Sequence, residues 1–224
     1  MTDARRIEEL SLNHWPALST LFYDGWVLRF ADGYTKRANS VQPLYPSSRD
    51  LKEKVETCEK IYAENGLGTV FKMTPFAEPE SLDPFLAERG YAVVDPVLIQ
   101  TMELRRLRPP DIGTVEIKET ITAEWIGHFC RLGGADPRFA GVMGRMLSNL
   151  RTKRGFATLA HEDRVIACGM AVVEREFVGL YDIVVDERFR GRGFGEQLVR
   201  HLLHWGKMCG AGYGYLAVIE ENAP

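Results

Sequence analysis

An arginine- and glycine-rich loop, placed between an apolar strand and an amphipathic helix, constrains this chain more than any other feature. Residues 178–185 are almost wholly apolar, and the loop after them carries three arginines and three alternating glycines up to Gly195. Leu198, Leu202 and Trp205 then recur on one side of a predicted helix from Gly195 to Met208. Glycine lets backbone N–H groups approach a ligand, and a helix N-terminus adds free donors and partial positive charge. The pattern therefore predicts a phosphate-binding loop in an α/β protein.

Two common phosphate-binding signatures are absent from this loop. A dinucleotide-binding G-x-G-x-x-G sequence starting at Gly191 would need glycine at position 196, where Glu196 stands. A P-loop would need glycine and lysine followed by serine or threonine, and this run does not occur. A different nucleotide-binding enzyme, such as a dehydrogenase, stays as an alternative, but these absences argue against it.

Composition and charge exclude several classes of protein. The 224 residues are 45% apolar and 26% charged, as in a soluble globular protein. The 28 basic and 31 acidic residues give a net charge of −3, so no overall positive field attracts nucleic acid. No apolar run approaches the ~20 residues of a membrane helix, and the first ten residues lack an apolar signal core. We therefore expect a cytoplasmic protein with neither nucleic acid nor a membrane as partner.

The cysteines and histidines predict no metal site. The four cysteines form no C-x-x-C pair, so we expect reduced thiols, most of them buried. His201 and His204 lie three residues apart on the predicted helix from Gly195, but no further ligand is placed beside them. A solvated helix face is the preferred interpretation of that pair.

A basic, proline-containing linker at 105–111 divides the chain nearly in half. We predict one domain over 1–108 and another over 112–224, since both halves show strands, a turn, a long helix and a strand in that order. Near the N-terminus we expect a short helix from Leu10 to Leu21, interrupted at Pro16. We therefore predict an α/β protein whose sheet is mixed, so that it also fits the α+β class.

The loop resembles a known family signature. Arg190-x-x-Gly193-x-Gly195 is similar to the R/Q-x-x-G-x-G/A signature of the GCN5-related N-acetyltransferase (GNAT) superfamily, and the apolar strand before it and the helix after it match as well. The predicted order from Thr114 onward is strand, two helices, three antiparallel strands, helix and strand, which also resembles a GNAT domain. This resemblance implies a largely antiparallel sheet flanked by helices, in two related halves.

The first half resembles a degenerate GNAT domain. Residues 45–50 stand where the phosphate-binding loop would lie, and they contain no glycine. We therefore expect the coenzyme to bind in the second half alone.

What the resemblance implies is an acetyl-CoA-dependent N-acetyltransferase that acts on a primary amine of a small molecule or peptide; the alternative is a non-catalytic acyl-CoA-binding or regulatory module. The coenzyme's pyrophosphate would meet backbone N–H groups from Arg190 to Gly195, and its pantetheine would follow the strand Tyr181 to Val185. The oxyanion donor would be a backbone N–H between Ile183 and Val185. The residues implied to contact the coenzyme are Ile183, Val184, Val185, Arg190, Gly191, Arg192, Gly193, Phe194, Gly195, Glu196 and Asn222.

Acetyl transfer to an ammonium group also needs a base, because an ammonium has no lone pair. Asp182, which interrupts the apolar strand, is the first candidate, with an ordinary outward-facing strand residue as the alternative. Glu174 is the second candidate, with a solvated strand end as the preferred alternative. For the acid, Tyr215 or Tyr213 would replace the tyrosine that many family members carry on a helix after the last strand.

The sequence stops at Pro224, before the closing helix and strands of a GNAT domain. The chain is either truncated there or completed by another segment. An uncovered edge of the last strand, Tyr213 to Ile219, would favour association. We therefore expect either the last strands of the first half, or a second copy of the chain in a homodimer, to cover that edge.

Overall fold

The structure is a computed structural model that describes residues 4–111, 113 and 115–220. Its strands are β1 (Ser19–Tyr23), β2 (Trp26–Phe30), β3 (Val41–Gln42), β4 (Val97–Glu103), β5 (Val115–Lys118), β6 (Lys153–His161), β7 (Arg164–Glu174), β8 (Phe177–Val185) and β9 (Tyr213–Ile219). Its α-helices are α1 (Ala4–His14), α2 (Leu51–Glu64), α3 (Leu82–Glu88), α4 (Ala123–Gly133), α5 (Ala140–Ser148) and α6 (Phe194–Met208). Within these described ranges, every helix is too short or too polar to cross a membrane.

The chain forms two compact units. One comprises the described residues of 1–14 and 95–224, and the other comprises Trp15–Val94. These units do not follow the predicted halves, because α1 and β4 group with the second half of the sequence. The origin of the two halves as related domains stays a prediction.

The larger unit is built on a six-stranded sheet with the order β4-β9-β8-β7-β6-β5. Neighbours are antiparallel except β8 and β9, which run parallel. A Cβ on Gly206 of α6 would lie 2.7 Å from Val178, and a Cβ on the next strand residue, Gly179, would lie 2.9 Å from His14 Nδ1 of α1. Since successive side chains of a strand point to opposite faces, α6 and α1 cover opposite faces of the sheet. The predicted fold class, a largely antiparallel mixed sheet flanked by helices, is confirmed.

The core of this unit lies between the sheet and α6. Leu198 and Leu202 of α6 are fully buried and pack on apolar residues of β6 to β8. Each such leucine contributes about 1.5–3 kcal/mol relative to an exposed one. β7 is buried along nearly its whole length, as its apolar sequence predicts.

The smaller unit contains the antiparallel sheet β1-β2-β3 and the helices α2 and α3. Its core is formed by Trp26, Leu28, Val55 and Tyr62, all fully buried. Asp50 begins α2, because its side chain accepts a hydrogen bond from the backbone N–H of Glu53 at 3.1 Å.

The predicted helix from Leu10 to Leu21 is wrong. The first helix runs from Ala4 to His14, and Ser19–Tyr23 is a strand paired with β2. Pro16 explains the early end, because proline disfavours helical geometry at the residue before it, Trp15. The helix therefore ends on His14, which is fully buried.

The last strand of the first half covers β9. β4 pairs antiparallel with it over its whole length, from Val97 opposite Ile219 to Glu103 opposite Tyr213. This outcome confirms the first of the two expected ways to cover that edge, and it makes β4 the edge strand of the sheet. A homodimer stays a prediction.

Candidate functional site

The loop after β8 has the geometry that its glycines predict. Gly191 and Gly193 adopt left-handed conformations with φ of 73° and 82°, and Gly193 is the residue before the first turn of α6. A Cβ on either glycine would meet no atom within 4 Å, so the space beside the backbone is open. Residues with a side chain rarely adopt this conformation, which is why glycine stands at both positions.

The backbone at the start of α6 has the geometry of a helix N-terminus. Its first turn is closed by a bond from Gln197 N to Gly193 O at 3.0 Å. Free N–H groups in the first turn carry the positive end of the helix dipole. The loop can therefore hold an anionic group such as a phosphate.

Asp186 fixes the start of the loop. Its carboxylate accepts hydrogen bonds from the backbone and the guanidinium of Arg188 at 2.7–3.1 Å, and lies 3.5 Å from Arg164 and 4.0 Å from Arg131. The Arg188 guanidinium has the largest effect in holding the pKa of Asp186 below its usual range. The backbone N–H of Arg188 and the charge of Arg164 act in the same direction. The carboxylate thus stays charged and orients the turn.

Arg190 joins the loop to the end of β8. Its Nε donates to the carbonyl of Val185 at 3.1 Å, and its Nη1 lies 3.7 Å from Glu187. A Cβ on Gly195 would lie 3.4 Å from the Val185 side chain. The predicted coenzyme-contacting residues 183–185 and 190–196 are therefore brought together. Asn222 lies outside the described residues.

β8 and β9 separate beside this loop. Their pairing within the described residues ends at Leu180 opposite Leu216, although β8 continues to Val185. The register of β8 against β7 also shifts between Cys168 and Met170, where β8 contains one extra residue. Beyond Leu180, β8 thus pairs with β7 on one side and no longer pairs with β9 on the other.

Asp182 lies at this irregularity. Its φ is 54°, which is uncommon for a residue other than glycine and typical of functional sites. The carboxylate is half-buried and close enough to Cys168 to help burial raise the pKa of that thiol. Asp182 therefore lies in the segment of β8 that has separated from β9, and its role as a base stays a prediction.

Glu174 lies at the other end of β8, since it pairs with Phe177 at the turn between β7 and β8. Phe177 and Asp182 are five positions apart along the strand, a length of roughly 16 Å. The Glu174 side chain is 15% exposed and accepts hydrogen bonds from Asn13 of α1 at 3.2 Å. Glu174 is therefore a partly exposed strand end that α1 contacts, and its role stays a prediction.

Tyr215 belongs to a buried polar cluster that sequence reasoning missed. Its hydroxyl lies 2.7 Å from the hydroxyl of Tyr181 and 2.8 Å from Nδ1 of His14. Nε2 of His14 lies 3.4 Å from the carboxylate of Glu174. Burial, followed by the neighbouring Tyr181, raises the pKa of Tyr215, so this hydroxyl stays protonated at neutral pH.

The described residues contain no group of three or more histidine, cysteine or acidic side chains placed to hold a metal ion. His201 and His204 both lie on α6, as their spacing predicts, and are half-buried.

Comparison with known proteins decides the family. The family model described as "Probable histone acetyltransferase Rv0428c C-terminal" matches residues 1–224. A relative from Bacillus subtilis (strain 168), the "Uncharacterized N-acetyltransferase YobR", is 32% identical over 229 residues, which are 99% of this chain and 90% of the relative. The chain belongs to this acetyltransferase family.

Solved structures share the fold of this N-acetyltransferase. A GCN5-related N-acetyltransferase from Kribbella flavida has a TM-score of 0.70 at 16% identity, covering 97% of this chain and 86% of its own. A functionally unknown conserved protein from Staphylococcus epidermidis ATCC 12228 has a TM-score of 0.57 at 13% identity, covering 89% of this chain and 83% of its own. The GNAT fold implied by the loop signature is thus confirmed.

Two residues of the acetyltransferase, His14 and Tyr181, escaped sequence reasoning. His14 ends a helix that was predicted to continue, and Tyr181 was treated only as part of the strand along the coenzyme. Gly179 was the available signal, because glycine inside a strand often marks a close approach. A Cβ there would lie 2.6 Å from the Tyr215 hydroxyl oxygen.

Proposed function

We propose that the enzyme transfers the acetyl group of acetyl-CoA to a primary amine of a small molecule or peptide. The observation that carries this proposal is the loop from Asp186 to Gly195, whose open left-handed glycines lead into the N-terminus of α6 beside the separated strands β8 and β9. An anion-binding loop next to a strand that has separated from its neighbour suits a ligand that joins a pyrophosphate to an amide-containing arm.

The residues present fit such a ligand. The N–H groups from Gly191 to Glu196 would hold the pyrophosphate, and Ile183, Val184 and Val185 would pair with the amides of the arm. Arg192, whose guanidinium lies 5.5 Å from the centre of the Phe189 ring, would stay near the phosphates. Bound there, the thioester supplies an activated acetyl group, and the protein orients the two reactants.

The acceptor must reach the thioester as a free amine. Asp182 stands beside the separated strands and supports the proposal as a direct base, because a carboxylate at that point accepts a proton from an ammonium. The N–H groups of 183–185 would stabilise the negative charge that develops on the acetyl oxygen.

Calorimetric titration with acetyl-CoA tests the binding step, and release of free thiol with a panel of amines, peptides and aminoglycosides tests the transfer. We expect micromolar binding and thiol release with at least one member of the panel. Arg190→Ala should weaken binding, since it removes the bond that fixes the loop to Val185. Wild-type protein that does not bind acetyl-CoA would contradict the proposal.

Binding without thiol release for any amine of a broad panel would favour the alternative of an acyl-CoA-binding or regulatory module. A bound nicotinamide or ATP in place of acetyl-CoA would favour another nucleotide-binding enzyme.

A further inference from the structure

We propose that β4 is the surface through which two copies of this chain form a symmetric dimer. In this dimer the two β4 strands pair antiparallel, and the two six-stranded sheets become one continuous sheet. The contact consists of main-chain hydrogen bonds together with apolar side chains on both faces. This inference goes beyond the acetyl transfer and holds whether or not the chain binds acetyl-CoA.

The edge of β4 can accept another strand. Among the residues that the structure describes, β4 is the last strand of its sheet and pairs with β9 on one side. Leu104 N donates to Gly212 O at 2.9 Å, so the main-chain groups of even-numbered residues point to β9. The main-chain groups of the odd-numbered residues of the strand therefore point to its outer edge. These residues are Val97, Ile99, Thr101 and Glu103.

The side chains of β4 are apolar and exposed on both faces of the sheet. The exposed fraction is 48% for Val97, 43% for Leu98, 47% for Ile99 and 36% for Met102. From Val97 to Met102 the sequence has no charge, proline or glycine. Charges, prolines and bulges are the features by which natural proteins keep an edge strand from associating. A contiguous apolar strand without them is typical of an interaction surface.

One register suits a second copy of β4 best. Two copies match over all seven residues of the strand only when the twofold axis passes through Gln100, its central residue. Leu98 then lies opposite the partner's Met102 on one face of the sheet. Ile99 lies opposite the partner's Thr101 on the other face, as a β-branched pair of the kind that stabilises sheets. The strand is therefore complementary to itself on both faces.

The charges at the two ends of β4 favour the same register. Asp95 precedes the strand and Arg105 follows it, so Asp95 lies beside the partner's Arg105 at each end of the pair. An axis through Ile99 would match fewer residues and would place Glu103 opposite the partner's Asp95, where like charges repel. In the favoured register Glu103 lies opposite the partner's Val97, and its carboxylate is held by Arg105. Charge and apolar pairing thus select one arrangement.

The size of this surface predicts a weak dimer. A contact made by one strand from each copy falls at the low end of interface sizes, about 1,200 Å² or less, where association is transient. We therefore expect a dissociation constant in the micromolar range. Because dissociation follows mass action, samples diluted well below that constant contain the monomer, and the stability of variants can be compared in that state.

Sedimentation of the full chain at increasing concentration tests the dimer. We expect the mass to rise from 25.3 kDa toward twice that value as the concentration passes through the micromolar range. A twofold interface closes on itself, so association should stop at the dimer. A mass that stays at 25.3 kDa at the highest soluble concentration would overturn the proposal, and so would growth beyond the dimer.

Ile99→Lys tests whether β4 is the surface. A lysine at this edge position should weaken dimerisation by about tenfold or more, because edge charges oppose strand addition. Phe22→Lys is the matched control, since Phe22 is a 78% exposed residue of β1, the edge strand of the smaller sheet. Both substitutions add one positive charge to an edge strand, and urea titrations of dilute samples check that both variants fold. Dissociation by Phe22→Lys and not by Ile99→Lys would assign the dimer to β1 and refute the proposal.

Hydrogen exchange of single amides tests the pairing in the wild-type protein. The amides of even-numbered β4 residues bond to β9, so they should be protected at every concentration. The amides of Ile99, Thr101 and Glu103 should gain protection only as the concentration rises through the dissociation constant. If the dimer forms while these three amides keep the same exchange rates, β4 is not its interface.

A cysteine at the proposed axis tests the register. Gln100→Cys brings two thiols together in a pair without mutual hydrogen bonds, with Cα atoms about 4.5 Å apart, a separation that a disulfide can span. Met102→Cys is the matched control, because it faces the partner's Leu98 and the two substituted positions lie roughly 13 Å apart. Both variants also carry Cys130→Ser and Cys209→Ser, which removes the native thiols that are not fully buried. Oxidation should cross-link the first variant alone, and equal cross-linking of both would refute the register.

Discussion

Thr101 of β4 lies directly opposite Tyr215 of β9, so a strand from before the linker is the immediate neighbour of a buried tyrosine in the site. Without β4, the strand that carries Tyr215 would be the edge of the sheet. The sheet that carries the candidate site is therefore completed by a segment of the first half of the sequence.

Proline in β4 tests this pairing. Leu104 N donates to Gly212 O at 2.9 Å, and Glu220 N donates to Pro96 O at 2.8 Å, so even-numbered residues of β4 form the bonds to β9. Gln100→Pro should remove one such bond and lower the free energy of unfolding by about 1–3 kcal/mol in urea titrations. Thr101→Pro is the matched control, because its N–H points to the open edge. Equal losses would contradict this register.

We expect a substitution of Gly193 to lower both the stability of the protein and its affinity for acetyl-CoA. Gly193→Val forces a left-handed residue with a side chain into the loop, at a cost of about 1–2 kcal/mol. Gly66→Val has the same strain, since Gly66 has φ of 69° and open space beside it. Both variants should lose similar stability, but only Gly193→Val should weaken acetyl-CoA binding in calorimetry. A normal affinity for Gly193→Val would remove the loop from the binding site.

Gly206 permits the close packing of α6 on the sheet. A Cβ there would lie 2.7–2.8 Å from the side-chain carbons of Val178. We expect Gly206→Ala to lower the free energy of unfolding by about 1–3 kcal/mol through overpacking. The double variant with Val178→Ala should recover part of that loss. Strictly additive losses would show that the two residues do not meet.

We expect Asp186 to make the free energy of unfolding depend on pH. Its folded-state pKa lies below the ordinary value of 3.8, so the unfolded chain binds the proton more readily. The stabilisation is therefore complete above the ordinary value and is lost as the pH falls through and below it. Urea titrations should show a stability gap between the wild type and Asp186→Asn at about pH 6 that narrows toward about pH 3. A gap that stays constant with pH would contradict this role.

Local patterns predicted the loop site well. The alternation of glycine and arginine from Arg188 to Gly195, between an apolar strand and an amphipathic helix, involves only neighbours in sequence. Glycine conformations, helix capping and strand burial depend on such neighbours, which is why the strand β8 and the helix α6 were predicted within a residue or two. The end of the first helix is also decided locally, because Pro16 disfavours helical geometry at Trp15.

The buried cluster could not be predicted in this way. His14 and Tyr215 are 201 positions apart, and nothing in the residues around either one points to the other. Their contact depends on α1 covering the face of β8 opposite α6, which side-chain packing decides. Sequence alone thus determined the fold class, the glycine-rich loop between β8 and α6, and the family signature, because these depend on short-range patterns. Only the tertiary structure decided that β4 completes the sheet and that Tyr181, Tyr215, His14 and Glu174 meet, because strand pairing and burial join residues that the chain keeps far apart.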